Sequence, residues 1–128
     1  MKNDIISDAL NNIMNAKRIE RTEVRINRIS KFLVTIFQMM KEQKYIDFEV
    51  KDENESKPYI IVKILRLNVC RSIKPRYSVT VDRVDKYLRR YLPSRNFGTV
   101  IVSTNKGLMT HEEAAKNNLG GSLIAYYY

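Results

Sequence analysis

The spacing of the apolar residues changes repeatedly along this chain, and that feature constrains its fold more than any other. Helical spacing predicts two helices in the first half, on the stripes Ile5, Ile6, Ala9, Leu10, Ile13 and Leu33, Ile36, Phe37, Met40. Alternation predicts three strands, on Val24 and Ile26, on Ile46, Phe48 and Val50, and on Ile60, Val62 and Ile64. Asn15 to Glu23 is predicted to be a loop, Lys51 to Pro58 a turn, and Ser30 the cap of the second helix.

The second half has shorter elements separated by turns. We predict a strand through Tyr77, Val79 and Val81, a short helix through Val84, Tyr87, Leu88 and Tyr91, and a buried strand from Thr99 to Thr104. Lys106-Gly107 is predicted to be a turn, Thr110 the cap of a helix that ends near Asn118, and Gly120-Gly121 the turn into Ser122 to Tyr128.

These elements predict an α+β fold of two small packed α/β subdomains. Residues 1–66 are expected to form an α-β-α-β-β subdomain, and residues 67–128 a β-rich subdomain with short helices. At 44% hydrophobic residues, the chain has enough apolar side chains to bury a core.

Positive charge is concentrated in the middle of the chain. The 23 Lys and Arg residues outnumber the 14 Asp and Glu residues, giving a formal net charge of +9. The span from Arg66 to Arg95 holds nine basic residues against two acidic ones. Such a surplus attracts a polyanion, either a nucleic acid or an acidic membrane surface. We therefore expect the partner to dock around the middle of the chain.

Arginine and tyrosine are interleaved in this basic span. Arginine binds phosphate through two parallel hydrogen bonds, and both residue types stack on nucleobases. Arg76, Tyr77 and Arg90 are therefore candidate RNA contacts. Tyr87 and Tyr91 share the helical stripe of the short helix, so we expect them in the core instead.

The residues favour no enzyme chemistry. His111 is the single histidine and Cys70 the single cysteine, so neither a zinc cluster nor an intrachain disulfide can form. Helix capping by Thr110 explains the run His111-Glu112-Glu113, and Cys70 is expected to be a small filler in or near a core strand. A nucleic-acid-processing enzyme, the rival class, would need a metal-binding carboxylate cluster. We expect no catalytic residue, metal, cofactor or small-molecule substrate.

A turn after the predicted buried strand is the best candidate binding site. Ser103, Thr104, Asn105, Lys106 and Gly107 follow one another there. Three of these side chains are short and can donate and accept hydrogen bonds, and Gly107 permits close backbone approach. RNA displays 2′-hydroxyls and base edges in its shallow minor groove, which such groups suit. An ordinary hairpin turn has the same composition.

The chain resembles the universal small-subunit ribosomal protein eight family, whose eukaryotic form is called protein S-fifteen-A. The resemblance covers essentially the whole chain. It is carried by the run from Leu92 to Gly98, the run from Val102 to Ala114, and Gly120-Gly121 before an aromatic C-terminus. The Leu92 to Gly98 run and Ile73 to Tyr77 resemble archaeal or eukaryotic members more than bacterial ones.

The resemblance implies direct binding to a helix in the central domain of the small-subunit rRNA, early in assembly. It implies RNA contacts at Ser103 to Gly107 and at Gly120, Gly121 and Ser122. The bacterial pattern has Ser where Asn105 stands and Glu where Ser122 stands, so the hydrogen bonds at these positions differ. Lys31, at the start of the second predicted helix, is a candidate contact to a second RNA segment.

The expected partners are small-subunit rRNA and neighbouring ribosomal proteins, without a membrane. The N-terminus lacks the apolar run of a signal peptide, so the expected location is the cytoplasm, or the nucleolus during assembly in a eukaryote. The alternative function is a translational regulator that binds an RNA hairpin.

Overall fold

The chain forms two compact units, Met1–Asn68 (unit 1) and Val69–Tyr128 (unit 2). The structure, a computed structural model, describes residues 5–51, 58–73, 78–94 and 97–128, and only the backbone of Asp85. Both units combine helices with antiparallel strands, which confirms the predicted α+β class. None of the helices among these residues is long and apolar enough to cross a membrane.

Unit 1 begins with two helices and a strand between them. They are α1 (Ile5–Arg18), β1 (Glu23–Ile26) and α2 (Lys31–Glu42). The Ser30 hydroxyl accepts a hydrogen bond from the Leu33 N–H at 3.1 Å, which confirms the predicted cap. The predicted loop from Asn15 is wrong in its first residues, because Ala16 extends the buried stripe and the helix continues to Arg18.

A three-stranded antiparallel sheet completes unit 1. β2 (Ile46–Lys51) and β3 (Tyr59–Ile64) pair with each other, and β1 pairs with the other edge of β3, in the order β1-β3-β2. This confirms the predicted α-β-α-β-β order; the predicted turn between β2 and β3 lies mostly outside the described residues. α1 packs on β1 and β3, and α2 packs on β2. Ile26, Ile60 and Val62 are buried, whereas Arg25, Glu49 and Lys63 are exposed.

Unit 2 is built around one long strand. Its elements are β4 (Cys70–Ser72), β5 (Ser78–Val79), a 3-10 turn (Val81–Arg83), α3 (Val84–Tyr91), β6 (Thr99–Thr104), β7 (Gly107–Thr110), α4 (His111–Lys116) and β8 (Gly121–Tyr127). β8 pairs with β6 on one side and with β4 and β5 on the other, and β7 pairs with the far edge of β6. Buried residues of these strands and of both helices form the core of unit 2.

The second half differs from prediction in several places, and one of them is Gly121, which begins β8 instead of ending a turn. Val81 begins a 3-10 turn instead of extending a strand, since the Arg83 N–H donates to the Thr80 carbonyl and closes the turn. Gly107 opens β7 instead of ending a turn, because it pairs with Thr104. β4 was not expected as a strand; it forms by pairing with the last residues of β8. The helix over Val84 to Tyr91 and the strand over Thr99 to Thr104 are confirmed.

A β-bulge in β8 decides which residues face each other near its start. Ile101 pairs with Ala125, but Val102 pairs with Leu123, so Ile124 is an extra residue on β8. Regular pairing would place Leu123 opposite Ser103. With the bulge, Ser122 pairs with Ser103 and Leu123 joins Val102 in the core.

Candidate nucleic-acid interface

The β6–β7 hairpin presents two exposed side chains at its tip. Asn105 and Lys106 connect the strands, and both are exposed. The Thr104 hydroxyl accepts from the Lys106 N–H at 3.1 Å and donates to the Gly107 carbonyl at 2.9 Å. Gly107 has a φ of 110°, a backbone conformation that L side chains rarely adopt. Thr104 and Gly107 therefore shape the turn, and Asn105 and Lys106 are available to a ligand.

Three serines from three strands form a row beside this hairpin. Ser122 of β8 pairs with Ser103 of β6 on one side and with Ser78 of β5 on the other. Residues directly opposite each other in an antiparallel sheet share a face. The Ser78 and Ser122 hydroxyl oxygens are 3.4 Å apart, and either can donate. We call Ser78, Ser122 and Ser103 the serine row; Ser78 is exposed and the other two are half-buried.

The two neighbouring glycines make this arrangement of strands sterically feasible. A Cβ built on Gly121 would lie 2.1 Å from the Ser103 carbonyl oxygen, and one on Gly120 would lie 2.6 Å from the Val79 carbonyl oxygen. Real Cβ atoms do not approach backbone oxygens so closely. The close packing of strands in unit 2 therefore requires glycine at both positions, in addition to the RNA contact expected of them.

The basic helix α3 has one apolar face and one charged face. Val84 and Leu88 are buried in the core, and Tyr87 and Tyr91 pack against it, which confirms that these two tyrosines belong to the core side. Lys86, Arg89 and Arg90 of this helix are exposed and basic. The Arg90 guanidinium lies 5.3 Å from the centre of the Tyr87 ring. α3 therefore offers a cationic surface that a phosphate backbone suits.

Of the three remaining predicted contacts, the structure describes only Lys31. Lys31 is the first residue of α2 in unit 1 and is exposed. Arg76 and Tyr77 lie outside the described residues. Of the twelve candidates, the structure brings Ser103 to Gly107 and Gly120 to Ser122 together at one end of the sheet of unit 2.

His111 and Cys70, the two residues with catalytic potential, are both buried in unit 2. His111 is buried, and its Nδ1 accepts the Val100 N–H at 3.1 Å, which continues the β6–β7 pairing through a side chain. Cys70 is fully buried in β4, which confirms its role as a small core residue, and this burial raises the pKa of its thiol to about 12. No group of three histidine, cysteine or acidic side chains among the described residues could hold a metal ion.

Sequence reasoning missed Ser78. It stands between Tyr77 and Val79 in the predicted strand, so alternation alone would have directed it away from the buried side of Val79. Its partner strand was not predictable from that pattern. Only the pairing of β5 with β8 places its hydroxyl beside Ser122.

Comparison with known proteins supports the resemblance seen in the sequence. A family model described as Ribosomal protein S8 matches residues 4–128. Proteins named small ribosomal subunit protein uS8 from Thermoplasma volcanium and Thermoplasma acidophilum are each 40% identical over 100% of both chains. A protein of the same name from Picrophilus torridus is also 40% identical over 100% of both chains. These organisms are archaea, which agrees with the archaeal or eukaryotic character of the sequence.

Proposed function

The chain belongs to the ribosomal protein S8 family, and we propose that it is a constituent of the small ribosomal subunit that binds rRNA directly. Its ligand would be a helix in the central domain of the small-subunit rRNA. The bound protein would help to assemble the subunit and so support translation. The relatives from Thermoplasma and Picrophilus carry the name of a small-subunit protein along their full length, which supports this role.

The serine row beside the hairpin carries the proposal. Three hydroxyls lie on one face of adjacent strands, next to the exposed Asn105 and Lys106. A hydroxyl both donates and accepts, as does the ribose 2′-hydroxyl. The minor groove of an RNA helix is wide and shallow enough for a sheet edge to approach its 2′-hydroxyls and base edges. This end of unit 2 would therefore recognise RNA by shape and by its sugars.

Residue roles follow from these positions. Ser103, Ser122, Asn105 and Lys106 would contact the RNA, with Thr104 and Gly107 shaping the turn and Gly120 and Gly121 allowing close approach. Ser78 is added to the residues expected from the sequence. Arg90 on α3, together with Arg76 and Tyr77, would contact phosphates or stack. Lys31 would contact a second RNA segment. Residues 67–128 would thus be the rRNA-binding subdomain.

Assembly partners and location follow from the family. We expect contacts with neighbouring small-subunit proteins and with rRNA, and residence in the cytoplasm within the subunit. The S8 family is one of structural ribosomal proteins. We assign no catalytic role, cofactor or small-molecule substrate to this chain.

Crosslinking in cells, followed by sequencing of the bound RNA, tests the proposal. The expected result is enrichment of small-subunit rRNA, with crosslinks in one helix of its central domain. The Ser103→Ala, Asn105→Ala variant should lose those crosslinks if the hairpin holds the helix. A bound pool dominated by messenger RNAs would overturn the proposal in favour of a translational regulator.

A further inference from the structure

Unit 1 carries an arginine whose side chain is held by neutral groups. Arg25 lies on β1 and is exposed. Its guanidinium carbon is 3.8 Å from the centre of the Tyr59 ring, and its Nε donates to the Asn27 side-chain oxygen at 2.8 Å. The ring restricts the plane of the guanidinium, and the hydrogen bond restricts its rotation within that plane. Arg25 is therefore held in place before any ligand binds.

Four other cations of unit 1 have partners that occupy their charge or their terminal nitrogens. Arg66 donates a terminal nitrogen to the Gln43 carbonyl at 3.0 Å. Three further cations form ion pairs at 3.2 to 3.4 Å, namely Arg28–Asp8, Lys41–Asp47 and Lys51–Glu49. Arg25 is absent from the ion pairs among the described residues, and its described hydrogen bond uses Nε alone. Its two terminal nitrogens therefore remain suited to bind an anion with two oxygens.

A cavity of about 370 Å³ lies beside α1 and β1, and Arg25 contributes to its lining. Its polar lining residues are Asp8, Asn11, Asn12, Arg25, Asn27 and Arg28. The amide groups can each donate and accept hydrogen bonds, as recognition of a ribose or a base edge requires. The volume falls within the range of sites that take small ligands, which includes the size of one nucleotide unit.

We propose that Arg25 and this cavity bind one nucleotide of a second rRNA segment. The terminal nitrogens of Arg25 would hold a phosphate through two hydrogen bonds, and the asparagine amides would contact the attached sugar or base. The inference rests on the proposed function, because it takes rRNA as the ligand. Besides Lys31, unit 1 would then have a second rRNA contact, formed by a planar guanidinium that is already held in place.

The experiment compares two RNAs on the full chain. One is a full-length small-subunit rRNA transcript, and the other is the isolated central-domain helix. Arg25→Lys keeps the charge but loses the planar pair of terminal nitrogens, and Tyr59→Leu removes the ring that positions Arg25. Both variants should lose about tenfold in affinity for the long transcript. Both should bind the isolated helix within about twofold of the unchanged protein.

Lys63→Gln is the matched control, since it removes one exposed charge from β3 in the same sheet. It should lower the affinity for the long transcript much less than Arg25→Lys does. Inorganic phosphate at matched ionic strength should not compete, which separates an RNA site from a free-phosphate site. Unchanged long-transcript affinity in Arg25→Lys, or equal losses on both RNAs, would overturn the inference. Failure of the unchanged protein to bind the isolated helix would instead overturn the proposed function.

Discussion

The two surfaces of unit 2 that we propose as RNA contacts differ in what holds their polar groups. The serine row belongs to three hydrogen-bonded strands, and each hydroxyl lies one bond beyond a Cβ that the sheet positions. The basic face of α3 consists of long side chains, Lys86, Arg89 and Arg90, on a helix of eight residues. The hydroxyls can move little, whereas the cations can adapt to many phosphate positions.

With two such surfaces, one small unit can separate specificity from affinity. Phosphate contacts hold an RNA without distinguishing its sequence, and contacts to sugars and base edges distinguish it. A rigid row loses little conformational entropy on binding, but it accepts only a matching surface. The comparison therefore predicts that changes at the serine row alter selectivity and that changes on α3 alter affinity for all RNAs alike.

The largest effect is expected at Gly121. In Gly121→Ala the added methyl would collide with the Ser103 carbonyl oxygen, so β8 and β6 must separate where the serine row lies. Cognate RNA affinity should fall by more than about a hundredfold, and stability by about 1–3 kcal/mol. RNA titrations and urea unfolding measure the two losses.

Gly107→Ala is the matched glycine control. Its methyl would meet no atom within 4 Å, so its cost arises only from a φ of 110°. It should weaken cognate binding less than Gly121→Ala. Equal losses in the two variants would mean that the spacing of β6 and β8 does not govern recognition.

Removing the hairpin side chains comes next. In Ser103→Ala, Thr104→Ala, Asn105→Ala the RNA loses two candidate partners, and the turn loses the two hydrogen bonds of Thr104. At about 1 kcal/mol for each of the two lost RNA contacts, and more where an RNA group is left unpaired, cognate affinity should fall by about thirtyfold to a hundredfold. Affinity for an unrelated duplex RNA should hardly change. Equal losses on both RNAs would reduce the hairpin to a phosphate contact.

A smaller and less selective effect is expected on α3. Arg90→Gln should lower the affinity for cognate and for unrelated RNA by the same few-fold factor, because it removes one phosphate contact. The slope of log affinity against log salt should become shallower by about one. Binding measured at several salt concentrations tests both statements. An unchanged slope would remove Arg90 from the interface.

His111 should affect stability without affecting RNA selectivity. His111→Leu leaves the buried Val100 N–H without its acceptor, at a cost of about 1–3 kcal/mol. His111→Asn keeps an acceptor close to the position of Nδ1 and should recover part of that loss. Urea unfolding measures stability, and titration with cognate RNA should give unchanged affinity in both folded variants. Loss of RNA binding in folded His111→Asn would contradict a structural role.

The effect of Cys70 is absent at neutral pH and appears only at high pH. Because burial raises the thiol pKa to about 12, the unfolded chain releases this proton first. The stabilising difference is complete below the ordinary thiol pKa of 9.0 and is lost as pH rises towards 12. Over this range the thiol lowers the free energy of unfolding by about 1.4 kcal/mol per pH unit. Cys70→Ala should lack this part of the decline in urea unfolding between pH 8 and 11; identical declines would contradict it.

Local spacing of apolar residues was enough to predict the elements with clear periodicity. The stripes of α1 and α2 and the alternation of β2 and β3 depend on residues close together in the chain, so local spacing predicted them. The Ser30 and Thr110 caps were predicted for the same reason, since each cap bonds a backbone N–H three residues ahead. The candidate site from Ser103 to Gly107 was chosen by motif, and its turn lies one residue earlier than expected.

Which side chains meet depends instead on contacts between distant segments of the chain. β4 and β5 are two or three residues long, and they exist as strands because β8 supplies their hydrogen bonds. The extra residue Ile124 shifts the register of β8, so that Ser122 rather than Leu123 lies opposite Ser103. The Arg25 guanidinium is positioned by the ring of Tyr59, which is distant in sequence and adjacent through β3. Pairing between distant segments depends on the packing of the whole sheet, so the local spacing of residues does not predict it.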